Sequence, residues 1–130
     1  LYSCAEAFVF PSQSEGFGFP PVESMMCDTP VVTSDLAAHR WVCGDAALYC
    51  DPYDTGSIVS QVERLLASDG SAALRQDLIA RGRERTELYT LERCGKLWHN
   101  VLHRLKFGQD LAAEPQTLSL HHRNPMERVA

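Results

Sequence analysis

Glu15 and Glu23, with seven residues between them, bracket the stretch SEGFGFPPVE that runs from Ser14 to Glu23. Each carboxylate offers two acceptor oxygens, a match for pairs of sugar hydroxyls, so one acid can hold a hexose and the other a ribose. Gly16 and Gly18 between them permit backbone conformations closed to other residues and let main-chain amides come close to a ligand. Phe17 and Phe19 can anchor that turn. Pro20 and Pro21 suit the first turn of a helix, where a missing N–H costs nothing, and the positive end of such a helix suits an anion such as a diphosphate.

Each residue also has a plainer reading. Glu15 can be a solvated loop acid, Glu23 a complement to the helix dipole, and the two glycines no more than a tight turn. His99 and His103 stand four apart, a spacing that metal sites use, but no acidic or cysteine ligand joins them in a recognisable pattern, and no metal is expected. His39 beside Arg40 reads as a surface turn more readily than as an anion contact. Trp98 reads as a helix-interface anchor rather than a sugar platform, and His121 and His122 carry no assigned chemistry.

The elements that position the acids follow from three short apolar runs, Ala7 to Phe10, Pro30 to Thr33 and Ala47 to Cys50, each ending in a polar or proline break and separated by room for a helix. This is βαβα punctuation, and runs that are continuous rather than alternating suit strands covered on both faces. The acidic stretch lies just past the first run, at the strand end where ligands collect in parallel α/β sheets. Leu1 to Ala5 reads as the last turn of a helix. Val22 to Cys27 continues the helix begun at the prolines, and Ala37 to Val42 forms a short second one. Asp54 or Thr55 caps a third, striped by Ile58, Val59, Val62, Leu65 and Leu66. Asp69-Gly70-Ser71 then breaks the chain before a helix carrying Leu74, Leu78 and Ile79, followed by a charged, frayed stretch from Arg81 to Glu87. Thr90 caps a last helix whose wide apolar side, including Leu91, Trp98 and Leu105, calls for a large partner surface.

At 130 residues and 45% hydrophobic content, the chain can bury a real core in one modest domain. A formal charge of −5 gives no general basic field, so nucleic acid is not an expected partner. The five cysteines are odd in number and never spaced as Cys-x-x-Cys, which suggests neither a disulfide framework nor a zinc site; they read as small, reduced core residues. No apolar run has the length of a membrane span and no leader precedes the first strand, so a cytoplasmic location is expected, with peripheral association at the inner face of a membrane as a second option. The chain opens without an initiator methionine and in mid-fold, as a fragment or a processed form would.

EGFGFPPVESM, then DTPVVTSD, then GDAALYCDPYD resemble, in order and spacing, the donor-binding half of retaining glycosyltransferases of the GT-B fold, family GT4; the likeness runs from about Leu1 to Leu105. The resemblance implies an α/β fold, specifically the second half of the C-terminal Rossmann-like domain, with about three short parallel strands and flanking helices. It places a partial nucleotide-sugar-binding domain at 1–107 and a disordered tail at 108–130. It also implies transfer of a glycosyl group, with retention, from a nucleotide-sugar donor to a glycan, lipid or small-molecule acceptor, as in polysaccharide biosynthesis, without an obligatory metal or other cofactor. Glu15 would approach the transferred sugar as the catalytic residue, Glu23 would take the ribose, and the backbone of Gly16, Phe17, Gly18 and Phe19 would meet the donor.

The departures are specific. Asp28 stands where the family commonly has glycine, which Asp tolerates by taking the left-handed conformation at a helix end with some loss of local stability. His39-Arg40-Trp41 replaces the usual proline and acid, which puts that helix start in question. The acceptor domain and the Arg and Lys that grip the diphosphate would lie upstream of Leu1, the domain packing against the last helix, so the chain is expected to be inactive alone. Two other readings stay open: a noncatalytic nucleotide-sugar or protein-interaction module, and a nucleotide-sugar epimerase.

Overall fold

Three short strands, β1 (Phe8–Phe10), β2 (Val31–Ser34) and β3 (Ala47–Cys50), form a parallel sheet in the order β1-β2-β3. The computed structural model describes residues 1–67 and 71–108. Parallel neighbours need crossovers, and the chain supplies α1 (Phe19–Met26) between β1 and β2 and α2 (Ala37–Cys43) between β2 and β3. After β3 come α3 (Thr55–Leu66) and α4 (Ser71–Thr86). A 3-10 turn at Tyr2–Cys4 precedes β1, where the sequence suggested the end of a helix.

All four β2 residues are buried, as a central strand covered on both faces requires. In register, Val32 pairs with Leu48 and Ser34 with Cys50, so Val32, Leu48 and Cys50 share one face; Leu65 of α3 and Leu78 of α4 close over it, with Ile58, Val62 and Leu74 at the margin. Thr33, paired with Phe10 and Tyr49, points to the opposite face, where α2 lies: the Thr33 hydroxyl meets the His39 ring, and the Tyr49 hydroxyl donates to the Gly44 carbonyl at 2.6 Å.

Helix ends follow local chemistry. Asp54 caps α3 by accepting the Gly56 N–H at 2.8 Å. At the end of α1, Asp28 adopts φ 58°, its N–H reaches the Met25 carbonyl at 3.1 Å and the Thr29 N–H reaches that of Ser24 at 3.0 Å. This is the left-handed closure that the sequence asked of an aspartate in a glycine position. An addition was not foreseen: Asp28 forms a two-pronged ion pair with Arg83 of α4, both contacts 2.7 Å.

That contact belongs to a correction. The stretch from Arg81 is not frayed: α4 continues to Thr86. Its arginines have partners: Arg81 pairs with Asp77 on the same helix and reaches Asp45, Arg83 pairs with Asp28, and Arg85 donates to the carbonyls of Val42 and Trp41. Gly82 lets α4 come close to α1, since a Cβ there would sit 3.3 Å from Cβ and Cγ of Met25. The cysteines need a second correction. Only Cys43 and Cys50 are buried, while Cys4, Cys27 and Cys94 are exposed; all are free thiols.

The chain divides into two units, Leu1–Glu87 and a second from Leu88 onward. In the second, α5 (Leu91–Lys106) starts at Thr90, whose hydroxyl accepts the Arg93 N–H at 3.3 Å. Leu91, Trp98, Leu102 and Leu105 of α5 are exposed. The break expected at Asp69-Gly70 and the tail expected from 108 fall, Gly108 aside, outside the described residues.

Candidate functional site

The loop from Pro11 to Gly18 leaves the carboxyl end of β1 and is pinned at its root: the Ser34 hydroxyl, at the end of β2, donates to the Ser12 carbonyl at 2.5 Å. Ser12 in turn points its own hydroxyl at the Ser14 carbonyl, 3.1 Å away, and at Glu15 Oε1, 3.3 Å away. Glu15 is half-buried, and the one Ser12 proton is shared between it and the Ser14 carbonyl. Gly16 is exposed and open, with nothing within 4 Å of where a Cβ would stand.

Phe17 is half-buried, its ring 4.6 Å from that of Phe19 and edge-on to Trp41 of α2 at 6.0 Å, whereas Phe19 is 63% exposed and does not anchor the turn in a core. Gly18 between them is buried and has φ 94°, a left-handed conformation that disfavours any side chain. A Cβ there would also stand 2.9 Å from His39 Cδ2.

Gly18 is the N-cap of α1, so the helix starts at Phe19, one residue before the expected Pro20. The shift has a chemical consequence. Of the first three helical residues only Phe19 carries an N–H, because Pro20 and Pro21 have none. The helix keeps its dipole but has few free amide donors, so the anion seat expected there is poorer than a helix start without prolines.

Val22, Ser24 and Met25 are buried, which turns Glu23 outward. Its Oε2 accepts a hydrogen bond from the Tyr2 hydroxyl at 3.1 Å. Loss of hydration, and then this bond to a carboxylate, raise the Tyr2 phenol above its ordinary pKa. The two acids thus have separate hydroxyl partners, Ser12 and Tyr2, each of which orients a carboxylate while leaving acceptor capacity for a ligand.

His39, read from sequence as a surface turn, is wholly buried. Its Nδ1 lies 2.9 Å from Thr33 Oγ1 and 3.1 Å from the Ser34 carbonyl oxygen, and its ring is 5.7 Å from that of Phe10. The helix start in question at that segment is at Ala37, with Leu36 as N-cap and no side-chain cap. Arg40 is not a loose cation. It makes a two-pronged pair with Asp35, at 2.6 and 2.7 Å, which holds the Asp35 carboxyl below its usual range, and it lies 3.8 Å over the Tyr49 ring. Among the described residues no group of three or more His, Cys, Asp or Glu side chains is placed to hold a metal. His99 and His103 sit together on α5, ring centroids 6.1 Å apart.

The residues that sequence reasoning missed are His39 and Ser12. A signal for the first was present: His39, Val42 and Cys43 fall at i, i+3 and i+4, and all three are buried. Nothing local marked Ser12, whose partner lies 22 residues away.

Comparison with known proteins adds a family. The profile of the glycosyl transferases group 1 matches residues 1–85. O-antigen chain mannosyltransferase B of Escherichia coli is 38% identical over 94 residues, covering 72% of this chain and 24% of the relative. O-antigen chain mannosyltransferase RfbU of Salmonella typhimurium is 45% identical over 65 residues, 50% of this chain and 18% of that protein. Among solved structures, sucrose-phosphate synthase of Thermosynechococcus elongatus, a GT-B glycosyltransferase, superposes with a TM-score of 0.68 at 29% identity, covering 82% of this chain and 27% of the enzyme. The chain thus spans about a quarter or less of the length of the two curated relatives.

Proposed function

Because the chain belongs to the glycosyl transferases group 1, we propose that it forms part of the donor-binding domain of a retaining enzyme that moves a glycosyl group from a nucleotide sugar to a glycan, lipid or small-molecule acceptor. The observation that carries this reading is the seating of the Glu15 loop: it leaves the carboxyl end of a parallel strand, is tied to β2 through Ser12 and Ser34, and ends in a turn that requires glycine. In this reading Glu15 accepts hydroxyls of the transferred sugar, Glu23 accepts those of the ribose, and the backbone of Gly16, Phe17, Gly18 and Phe19 lies against the donor.

The departing diphosphate gathers negative charge in the transition state, which preorganised cations and N–H donors must meet. Arg40, Arg81, Arg83 and Arg85 are all committed to partners within the fold, and the proline-bearing start of α1 brings the dipole with one N–H among its first three residues. Following the family resemblance, we assign the cations that hold the diphosphate, together with the acceptor-binding domain, to sequence upstream of Leu1, and catalysis to the longer polypeptide. No helix of the described residues is long and apolar enough to cross a membrane. The reading places the enzyme in the cytoplasm, with peripheral contact at the inner membrane face as the alternative, and relatives named for O-antigen synthesis support a polysaccharide product.

Replacing Glu15 with Gln in the full-length polypeptide is expected to depress transfer strongly, by roughly a hundredfold or more, the loss seen when one group that contacts the transition state is removed. Wild-type turnover in that variant would remove the assigned role. The exposed apolar residues of α5 favour a second reading, a noncatalytic nucleotide-sugar or interaction module. Binding of a nucleotide sugar by the full-length polypeptide without transfer to any acceptor would select it.

A further inference from the structure

His39 Nε2 is, among the described residues, a buried side-chain nitrogen with no hydrogen-bond partner. Such an atom calls for an explanation, because burial takes it from bulk water and no protein group bonds it instead. The hydrogen-bond network fixes what it is. Nδ1 faces the Ser34 carbonyl, which can only accept, and Thr33 Oγ1, which already donates to the Phe10 carbonyl at 3.1 Å. Nδ1 therefore carries a proton, and a ring with no second proton presents a lone pair at Nε2.

That lone pair does not face the apolar core. The ring edge that carries it lies against Gly18, where an added Cβ would stand 3.2 Å from Nε2 and 2.9 Å from Cδ2. Gly18 begins a helix whose next residues are Phe19, Pro20 and Pro21, so the N–H groups available from this corner are those of Gly18 and Phe19. An acceptor without a protein donor thus sits against a turn with few donors of its own.

We propose that His39 is a positioning residue for the donor-binding turn: its neutral ring supports Gly18, and its Nε2 accepts a hydrogen bond from the backbone of the turn once a nucleotide sugar binds. This rests on the donor-binding reading above and deepens it. A histidine serving only the core would keep its Nδ1 bonds to Thr33 and Ser34 and would be indifferent to ligand.

The test uses the full-length polypeptide labelled with 15N-histidine, and UDP-glucose, GDP-mannose and ADP-glucose as probes. The His39 ring signal is identified by its loss in His39→Asn. In the wild type its Nε2 resonance is expected at the position of a free lone pair and to move toward a hydrogen-bonded one when a probe binds. His39→Asn keeps a donor near Nδ1 and removes the distal acceptor, so it should fold while binding that probe about tenfold more weakly, the size of one modest hydrogen bond. His39→Gln, which can return an acceptor near the Nε2 position, should recover part of the loss. A probe that binds the wild type yet leaves the Nε2 resonance unmoved overturns the inference alone, and so does wild-type affinity in His39→Asn. Should His39→Asn not fold, the wild-type resonance, assigned then by elimination against single substitutions of the remaining histidines, decides by itself. A wild type that binds none of the three probes and transfers none of their sugars overturns the donor-binding reading itself.

Discussion

Gly18→Ala is the sharpest perturbation of the turn, because two independent costs meet at one methyl group. Gly18 has φ 94°, and holding an L-residue in that region costs about 1–2 kcal/mol. The added Cβ would stand 2.9 Å from His39 Cδ2, and the ring cannot easily retreat, since Nδ1 is fixed by Thr33 and Ser34 and the ring lies 5.7 Å from that of Phe10. Overpacking of this kind costs about 1–3 kcal/mol. The two add to roughly 2–5 kcal/mol, against which the entropy removed from the unfolded chain returns about 0.4–1 kcal/mol. Gly16→Ala is the control two residues away: nothing lies within 4 Å of its Cβ position, so it should be neutral to mildly stabilising. Urea unfolding followed by circular dichroism measures both. A double-mutant cycle with His39→Ala then isolates the overlap, since shrinking residue 39 relieves the clash and leaves the backbone cost, giving a coupling of about 1–3 kcal/mol. Equal stability of the two alanine variants would refute the argument, and strict additivity in the cycle would refute the part assigned to His39.

Two further outcomes follow from burial and charge. A thiol reagent applied to the native chain should label Cys4, Cys27 and Cys94 quickly and spare Cys43 and Cys50; burial pushes the Cys43 thiol up to about 12, so little thiolate forms there, and rapid labelling of all five would contradict the packing. Asp28 and Asp35 have carboxyls lowered from 3.8 by their arginine partners, so the stabilisation they give is present above about pH 4 and is lost as pH falls through the lower folded value. Both pairs are largely exposed, so the effect is small. Asp35→Asn should thus be modestly less stable than wild type at pH 6 and indistinguishable from it near about pH 2, as judged by thermal melts; a gap that widens toward acid would reverse the sign.

The strands were readable because a buried parallel strand is written as a continuous apolar run, and the Ala47 to Cys50 run coincides with β3. The capping residues Asp54 and Thr90 and the left-handed Asp28 were readable for the same reason: their chemistry is local. What escaped is pairing at a distance. Arg83 finds Asp28 across 55 residues and Arg85 finds the Val42 carbonyl across 43, so charges that looked like a solvated, fraying stretch reach α1 and α2, while buried Leu78 and the close approach at Gly82 seat α4. His39 was misplaced because residue type suggested surface, while its position on the Val42–Cys43 stripe put it inside. The acidic pair drew its meaning from resemblance rather than from periodicity. Spacing brought Glu15 and Glu23 to notice, but only the loop's anchoring through Ser12 and the outward turn of α1 describe how each carboxylate is held.

The two roles proposed for these acids separate in one set of titrations on the full-length polypeptide, wild type, Glu15→Gln and Glu23→Gln, each with a nucleotide sugar that the wild type binds and with the matching nucleoside diphosphate. Glu15→Gln should weaken the nucleotide sugar by about tenfold or more and leave the diphosphate unchanged, whereas Glu23→Gln should weaken both alike, as loss of a charged hydrogen bond to a ribose requires. Wild-type affinities for both ligands in both variants would contradict the proposal that this pair of carboxylates holds the donor.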